Sequence, residues 1–381
     1  MKIHSLAYSD EARNWGLNPI QFRGLTLLVG ASGVGKTQIL RSIMRLQQVS
    51  NGKSLNGISW KIDFSTVDDI RYVWEGEFEN RGIDFEPIFL NLVSDEDDES
   101  QDAPKILHEH LYRNGVEIIS RYKQTIKFEG KPTVKLPQEK SALHLLKEED
   151  LILPAYQGFQ KIILDDSTRH GNISIVANDL DISVEEYPDI KSIRNSEMSI
   201  RARLYLTSCN VPDIFDRIRD QFVDIFPFVE DIKIAPTTSK KASSHFQNVP
   251  VIQIKEYNVS QWIDERFISS GMSKTLKQIG NLYLSAIGTV ILVDEFENSL
   301  GVNCIDEVTE MFSQNHDLQF IITSHHPYII NNVEYKNWKL ISRKAGVVTG
   351  HDASDFNLGK SKHEAFTQLI NLDIYTDGAG A

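Results

Sequence analysis

Two short apolar runs near the start of the chain, residues 20–22 and 25–29, predict strands, the second ending in a glycine-rich turn. From 37 to 46 the rhythm changes: Ile39, Leu40, Ile43 and Leu46 recur at helical spacing and predict a helix. Between 58 and 78 the period falls to two. Trp60, Ile62 and Phe64, then Tyr72, Trp74 and Phe78, sit among polar residues and glycine, so an antiparallel sheet is expected beside the first unit. Two more strands are predicted at 116–122 and 125–128, and a helical stretch opens at 141–147. Residues 152–206 carry turn signals at Pro154, Gly158 and Gly171 and no sharp motif. Ile214, Ile218, Phe222 and Ile225 then share one helical face, and 228–234 reads as a strand. No apolar heptad is sustained over several turns and no repeat recurs, which excludes long coiled-coil arms.

Two polar stretches punctuate this pattern. The acidic run 94–102 holds too many like charges to be buried and reads as a solvated loop; 236–248 is a soft surface stretch carrying Lys240 and Lys241. The resulting division is 1–57, a strand-loop-helix unit; 58–135, an antiparallel β subdomain with the acidic loop; 136–247, an inserted helical and mixed subdomain; and 248–381, the remainder. With 381 residues, 41% of them hydrophobic, the chain holds enough apolar material for a sizeable core. Lys and Arg total 40 against 53 for Asp and Glu; a net charge of -13 disfavours nonspecific coating of nucleic acid and leaves contact only through local basic patches. Cys209 and Cys304 lie far apart and form no metal-ligand or disulfide spacing. No window approaches the ~20 apolar residues of a membrane-spanning helix, and the opening residues form no signal peptide, so no membrane partner and a cytoplasmic location are expected.

Candidate chemistry concentrates at four places. Gly30-Ala31-Ser32-Gly33-Val34-Gly35-Lys36-Thr37 fits the GxxxxGK[ST] pattern, with an apolar strand before it and a helix after it. Gly30, Ser32, Gly33 and Gly35 would let backbone N–H groups turn onto phosphate oxygens, Lys36 would reach the β and γ oxygens, and the Thr37 hydroxyl would ligate Mg²⁺. The apolar run 289–293 reads as a strand buried on both faces and ends in Asp294 and Glu295. Asp294 suits the hydration shell of Mg²⁺; Glu295 suits a general base for an attacking water. Ser269, Ser270 and Gly271 open a helix through Leu276, Ile279 and Leu282, a further anion-binding nest. A last apolar strand, 318–322, ends in Thr323-Ser324-His325-His326-Pro327, where His325 is placed to hydrogen-bond a γ-phosphate.

In this order the four pieces resemble the ATP-binding cassette (ABC) ATPases, and in particular the branch that contains DNA-repair and chromosome-maintenance ATPases. The loop at Gly30 looks like Walker A, 268–272 like the signature motif, 291–295 like Walker B and His325 like the switch histidine. DEFENSL and TSHHPYIIN are especially similar to compact ATPases of bacterial anti-phage systems, of the overcoming-lysogenisation-defect, Septu and retron-associated types. The resemblance implies an α/β fold: a P-loop ABC-type ATPase head with a mixed central sheet, an antiparallel β subdomain and an inserted helical and mixed subdomain. It implies ATP and Mg²⁺, a homodimer in which Ser269 and Gly271 act on nucleotide bound by the other copy, and a γ-phosphate-sensing glutamine for which Gln138 is the candidate. Ser270 stands where glycine is usual, and Gly301 where transporter cassettes carry an aspartate.

The expected function is an ATP-driven dimeric switch that controls or scaffolds a separate effector, a nuclease or toxin, in bacterial anti-phage defence. Only about 55 residues follow His325, fewer than the nuclease domain some relatives fuse there, so destructive chemistry is expected from a second protein. Three other readings compete: a DNA-repair or chromosome-maintenance ATPase working directly on DNA, a scaffold locked by ATP without turnover, and a transporter subunit. The last is disfavoured by the roughly 250 residues between Lys36 and Asp294, about twice that class's spacing. No NKxD motif supports a guanine-specific switch.

Overall fold

The structure is a computed structural model that describes residues 1–82, 103–166, 182–236, 249–298, 300–356, 362–376 and 378. The acidic run 94–102, Gly171, Lys240 and Lys241 lie outside these. Three strands, β1 (Lys2–Asp10), β2 (Trp15–Gln21) and β3 (Leu25–Val29), lead into helix α1 (Lys36–Ser50). Strands β4 (Ile58–Ser65), β5 (Arg71–Phe78), β6 (Ile106–Arg113), β7 (Val116–Tyr122), β8 (Thr125–Phe128) and β9 (Lys131–Pro132) follow. Next come α2 (Ala142–Leu145), α3 (Leu153–Gln160), β10 (Ile162–Asp166), α4 (Ile190–Arg194), α5 (Ile200–Asn210), α6 (Pro212–Ile225), β11 (Val229–Pro236), β12 (Pro250–Glu256) and β13 (Ile263–Asp264). The last part alternates: α7 (Ser270–Leu284), β14 (Val290–Asp294), α8 (Val302–Gln314), β15 (Gln319–Thr323), α9 (Pro327–Asn332), β16 (Trp338–Lys344), β17 (Val347–Asp352), α10 (Lys362–Leu369) and α11 (Asp373–Thr376).

One mixed sheet runs β10-β14-β15-β3-β16-β17-β2-β1-β4-β5-β6-β7-β8-β9; β11, β12 and β13 form a small second sheet. Strands β10, β14, β15, β3 and β16 are parallel, and from β1 to β9 every pairing is antiparallel. The unbroken apolar runs of β3, β14 and β15 have their cause here. Leu28, Leu292 and Ile321 face Ile39, Leu40 and Ile43 of α1, while Leu27, Val293 and Ile322 on the other face pack with Ile305, Val308 and Phe312 of α8. In the antiparallel part, alternation buries Trp60, Ile62, Phe64, Tyr72, Trp74 and Phe78, and Phe159 of α3 packs edge-on to Phe64 and Trp74 with ring centroids 5.3 and 5.1 Å away. A third core joins α5, α6 and α7 to β11 and β12 through residues such as Leu204, Phe222, Ile254 and Ile279.

Some elements depart from expectation. Strand β1 went unpredicted because its buried apolar residues are Ile3, Leu6 and Tyr8, and a register shift against β4 between Ile3 and Ser5 breaks the period of two. β2 begins at Trp15, earlier than the predicted 20–22, its pattern masked by exposed Asn18 and Pro19. β10, short and motif-free, aligns residue for residue with β14, placing Asp166 beside Asp294.

A buried ion pair fixes the edge of the antiparallel part. Glu109 and Arg121 are both fully buried and 3.8 Å apart. Glu109 accepts from Trp74 Nε1 and the Ala142 amide, and Arg121 donates to the carbonyls of Lys123, Pro137 and Lys140. Removing one partner leaves the other charged and buried, so Glu109→Ala is expected to cost about 3–5 kcal/mol of stability. Denaturant unfolding measures it, and a loss under about 1 kcal/mol would refute the account.

Candidate nucleotide site

The loop between β3 and α1 can only be built with glycine at two positions. Gly30 has φ +147°, and a Cβ there would stand 2.6 Å from the carbonyl oxygen of Ile341; Gly35 has φ +109°, and a Cβ would stand 2.8 Å from Val348. Gly35 is also the N-cap of α1, so no side chain caps the helix, and its first turn carries no acid. The free N–H groups and the positive end of the helix dipole therefore face outward as an anion nest. Ser32 and Gly33 are exposed at the loop tip. Lys36, 5% exposed, folds back so that Nζ donates to the carbonyls of Gly30 (2.7 Å) and Ala31 (2.8 Å) and approaches His325 Nδ1 at 3.4 Å. Burial pushes its ammonium down to about 8, against the pull of Glu297, Asp294 and Glu295.

The parallel sheet delivers the other groups. Thr37 at the start of α1 and Thr323 at the end of β15 both donate to Asp294 Oδ1, at 3.0 and 2.7 Å. The same Thr323 oxygen accepts the backbone N–H of Glu295 at 2.8 Å. Glu295 is held at φ +47°, a left-handed turn that a non-glycine residue adopts only when its surroundings fix it. Asn298 donates to its carboxylate. Burial and the neighbouring Lys36 keep the His325 ring below its ordinary pKa, so it is neutral and Nδ1 can accept from the ammonium.

Gly30, Lys36, Thr37, Asp294, Glu295 and His325 are thus brought together at the carboxyl ends of three parallel strands, where ligands of open α/β sheets bind. A hydroxyl beside a carboxylate, both hard oxygen donors, fits Mg²⁺. Ser269 and Gly271 stand apart from this cluster: Ser269 is the exposed N-cap of α7 and accepts from the Met272 amide at 3.1 Å. Gln138 is not brought to the loop either. It precedes α2, and its carbonyl accepts from the Ile106 amide of β6, in the antiparallel part of the sheet.

Residues that motif reading passed over complete the cluster. Thr323 is one. Glu297 accepts the His325 backbone N–H at 2.7 Å, and Lys274 of α7, buried and with its pKa lowered chiefly by that burial, donates to the carbonyls of Phe296 and Asn298. The only signals for the last two were a third acid in DEFEN and a lysine on the inward face of α7.

Over 92% of this chain and 97% of the other, the structure superposes on the head of an Smc protein solved bound to the C-winged helix domain of ScpA, at 14% identity and a TM-score of 0.53. The fold is that of an ABC-class P-loop ATPase head. An Smc head with an extended coiled coil from Pyrococcus furiosus, bound to the C-terminal domain of ScpA, aligns at 14% identity and a TM-score of 0.49, covering 92% of this chain and 96% of that one. Residues 184–331 of this chain match the family model described as "AAA domain, putative AbiEii toxin, Type IV TA system". No curated protein sequence matches it.

Thr323 is 1% exposed and serves both Asp294 and Glu295. Thr323→Val keeps its shape but strands the Glu295 N–H, at an expected cost of about 1–3 kcal/mol. If Glu295 acts in the chemical step, turnover should fall at least about tenfold with ATP affinity nearly unchanged. Denaturant unfolding and steady-state ATPase assays check both; wild-type turnover would dismiss the role.

Proposed function

We propose that this ATPase head binds and hydrolyses Mg²⁺·ATP and works as a dimeric switch on a separate effector protein. The observation that carries the reading is the convergence of Lys36, Thr37, Asp294, Glu295 and His325 at one end of the parallel strands. The backbone of 30–36 and the Lys36 ammonium hold the phosphates. Thr37 and Asp294 would hold Mg²⁺, which when bound would supply positive charge against the phosphate oxygens. Glu295 takes a proton from water as the water oxygen attacks the γ-phosphorus and the bond to the ADP oxygen breaks; His325 donates to a γ-phosphate oxygen.

The dimer is inferred from what the signature segment does not do within one copy. Ser269 and Ser270 are exposed, Phe267 beside them is 78% exposed, and no described contact joins them to the Lys36 loop. In the proposed dimer they would meet the nucleotide bound by the second copy. ATP contacts made only when two copies close would favour the closed state, which is the differential affinity a switch requires. Control of an effector is supported by the toxin–antitoxin description of the matching family. We further propose that 1–57 and 248–381 build the head, that 58–135 and 136–247 are its β and helical insertions, and that Gln138 would reach the nucleotide only by movement of its loop. No helix among the described residues is long and apolar enough to cross a membrane, in keeping with a cytoplasmic location.

Lys36→Ala removes a buried cation from the phosphates and is expected to weaken ATP binding by about 100-fold or more in a calorimetric titration. Retained affinity would sink the loop assignment. Glu295→Gln should bind ATP normally, slow hydrolysis by about 10²–10⁴ and accumulate dimers on size-exclusion chromatography with ATP. A variant that hydrolyses like the parent would exclude Glu295 as the base; one that stays monomeric with ATP would end the dimer reading.

A further inference from the structure

Glu297 lies in the loop between β14 and α8, two residues past Glu295, and none of the steps above uses it. Its Oε1 accepts the His325 backbone N–H at 2.7 Å, so the histidine's main chain is tied to this loop as well as to its own strand. Charge-assisted bonds of this kind are shorter and about twice as strong as neutral ones. The loop is itself pinned on both sides of Glu297. Lys274, 7% exposed, reaches from α7 and donates Nζ to the carbonyls of Phe296 (3.1 Å) and Asn298 (2.7 Å). The other oxygen, Oε2, is buried with no hydrogen-bond partner among the described residues. Lys36 and Lys274 are the cations that face the carboxylate, and Tyr375 of α11 also lies in its field.

We propose that Glu297, clamped by Lys274 of helix α7, is the positioning residue for His325, so that the helix beginning at the signature serine and the histidine at the phosphate site are held as one unit. The inference rests on the ATPase reading and deepens it. His325 has its main chain, not its ring, in contact with Glu297; its ring meets Lys36 Nζ at 3.4 Å. Releasing the amide lets the whole residue shift, and a misplacement of about 1 Å at a phosphate-contacting group is enough to cost about 100-fold in rate. Since α7 carries Ser269 at its first turn and Lys274 one turn later, a nucleotide that engages Ser269 acts on a rigid element already bonded to the loop behind His325.

The acceptor and the charge of Glu297 can be separated. Glu297→Gln keeps an oxygen at the position of Oε1 and removes the charge; Glu297→Asp keeps the charge and withdraws the oxygen by one methylene. Steady-state kinetics with Mg²⁺·ATP and fluorescence titrations with ATP and ADP are measured for these two, Glu297→Ala, His325→Ala and the Ala/Ala double variant, with thermal unfolding as the fold check. The expected result is that Gln keeps kcat within about threefold, whereas Asp and Ala lose about 10–100-fold in kcat with KM and ADP affinity nearly unchanged. The double variant should be no slower than His325→Ala, because both changes remove one function. If Asp outperforms Gln, if Asp and Ala both turn over like wild type, or if the double variant loses the product of the two single effects, the inference is overturned. A wild-type protein that hydrolyses no ATP overturns the ATPase reading, and this inference with it; one that hydrolyses while Asp is unaffected overturns this inference alone.

Discussion

One carboxylate oxygen organises the site. Asp294 Oδ1 receives the hydroxyls of Thr37 and Thr323, joining segments 257 and 29 residues from it in sequence. Such a junction exists only because β14, β15 and β3 are adjacent and parallel, so that their carboxyl ends come level. Parallel neighbours of this kind need long crossovers, and their strands are buried on both faces. The two hydrophobic cores on either side of these strands are therefore what holds the hydroxyls and carboxylate in register. The antiparallel part, with its own aromatic packing and its buried Glu109–Arg121 pair, extends the same sheet without contributing a group to this junction.

The second constraint is electrostatic. Lys36 is a cation almost wholly removed from water, and burial alone would discharge it. Three acids, Glu297, Asp294 and Glu295, oppose that, while two backbone carbonyls take its protons in hydrogen bonds. A phosphate arriving at the loop adds negative charge at the end of α1, where free N–H groups lack a capping side chain. The acids that neutralise Lys36 also repel that phosphate. A divalent cation held as proposed by Thr37 and Asp294 would resolve the conflict, since its charge would offset these carboxylates.

What could be read in the sequence follows from how narrowly each task restricts residue choice. Phosphate binding demands glycine at Gly30 and Gly35 and a lysine and hydroxyl after them, so the loop stood out. Fully buried parallel strands demand unbroken apolar runs, so β3, β14 and β15 did as well. The clean alternation at Trp60, Ile62 and Phe64 announced β4 because β4 has one buried face; β1 hid behind its bulge, and β10 is too short for any period to form. Glu297, Lys274 and Thr323 were illegible for another reason. Their partners are largely backbone N–H and carbonyl groups, which every residue supplies, so no pairing rule in the sequence points from one to the other. Gln138 is a different case. A glutamine expected to meet nucleotide has no required neighbours, and the chain offers it a place beside β6 instead.

The loop after β14 is held from several sides. Its backbone turn at Glu295 is left-handed, Thr323 holds it from β15, and Lys274 holds it from α7. These three anchors belong to elements from different parts of the fold: β14 and β15 in the central sheet, α7 packed with α5 and α6 on the β11–β12 side. A displacement of α7 cannot leave the loop in place without breaking the hydrogen bonds of a buried ammonium, which costs several kcal/mol. In the proposed dimer, the start of α7 that would meet a second copy and the histidine that would meet phosphate are joined through this buried lysine, with no contact needed between Ser269 and His325 themselves.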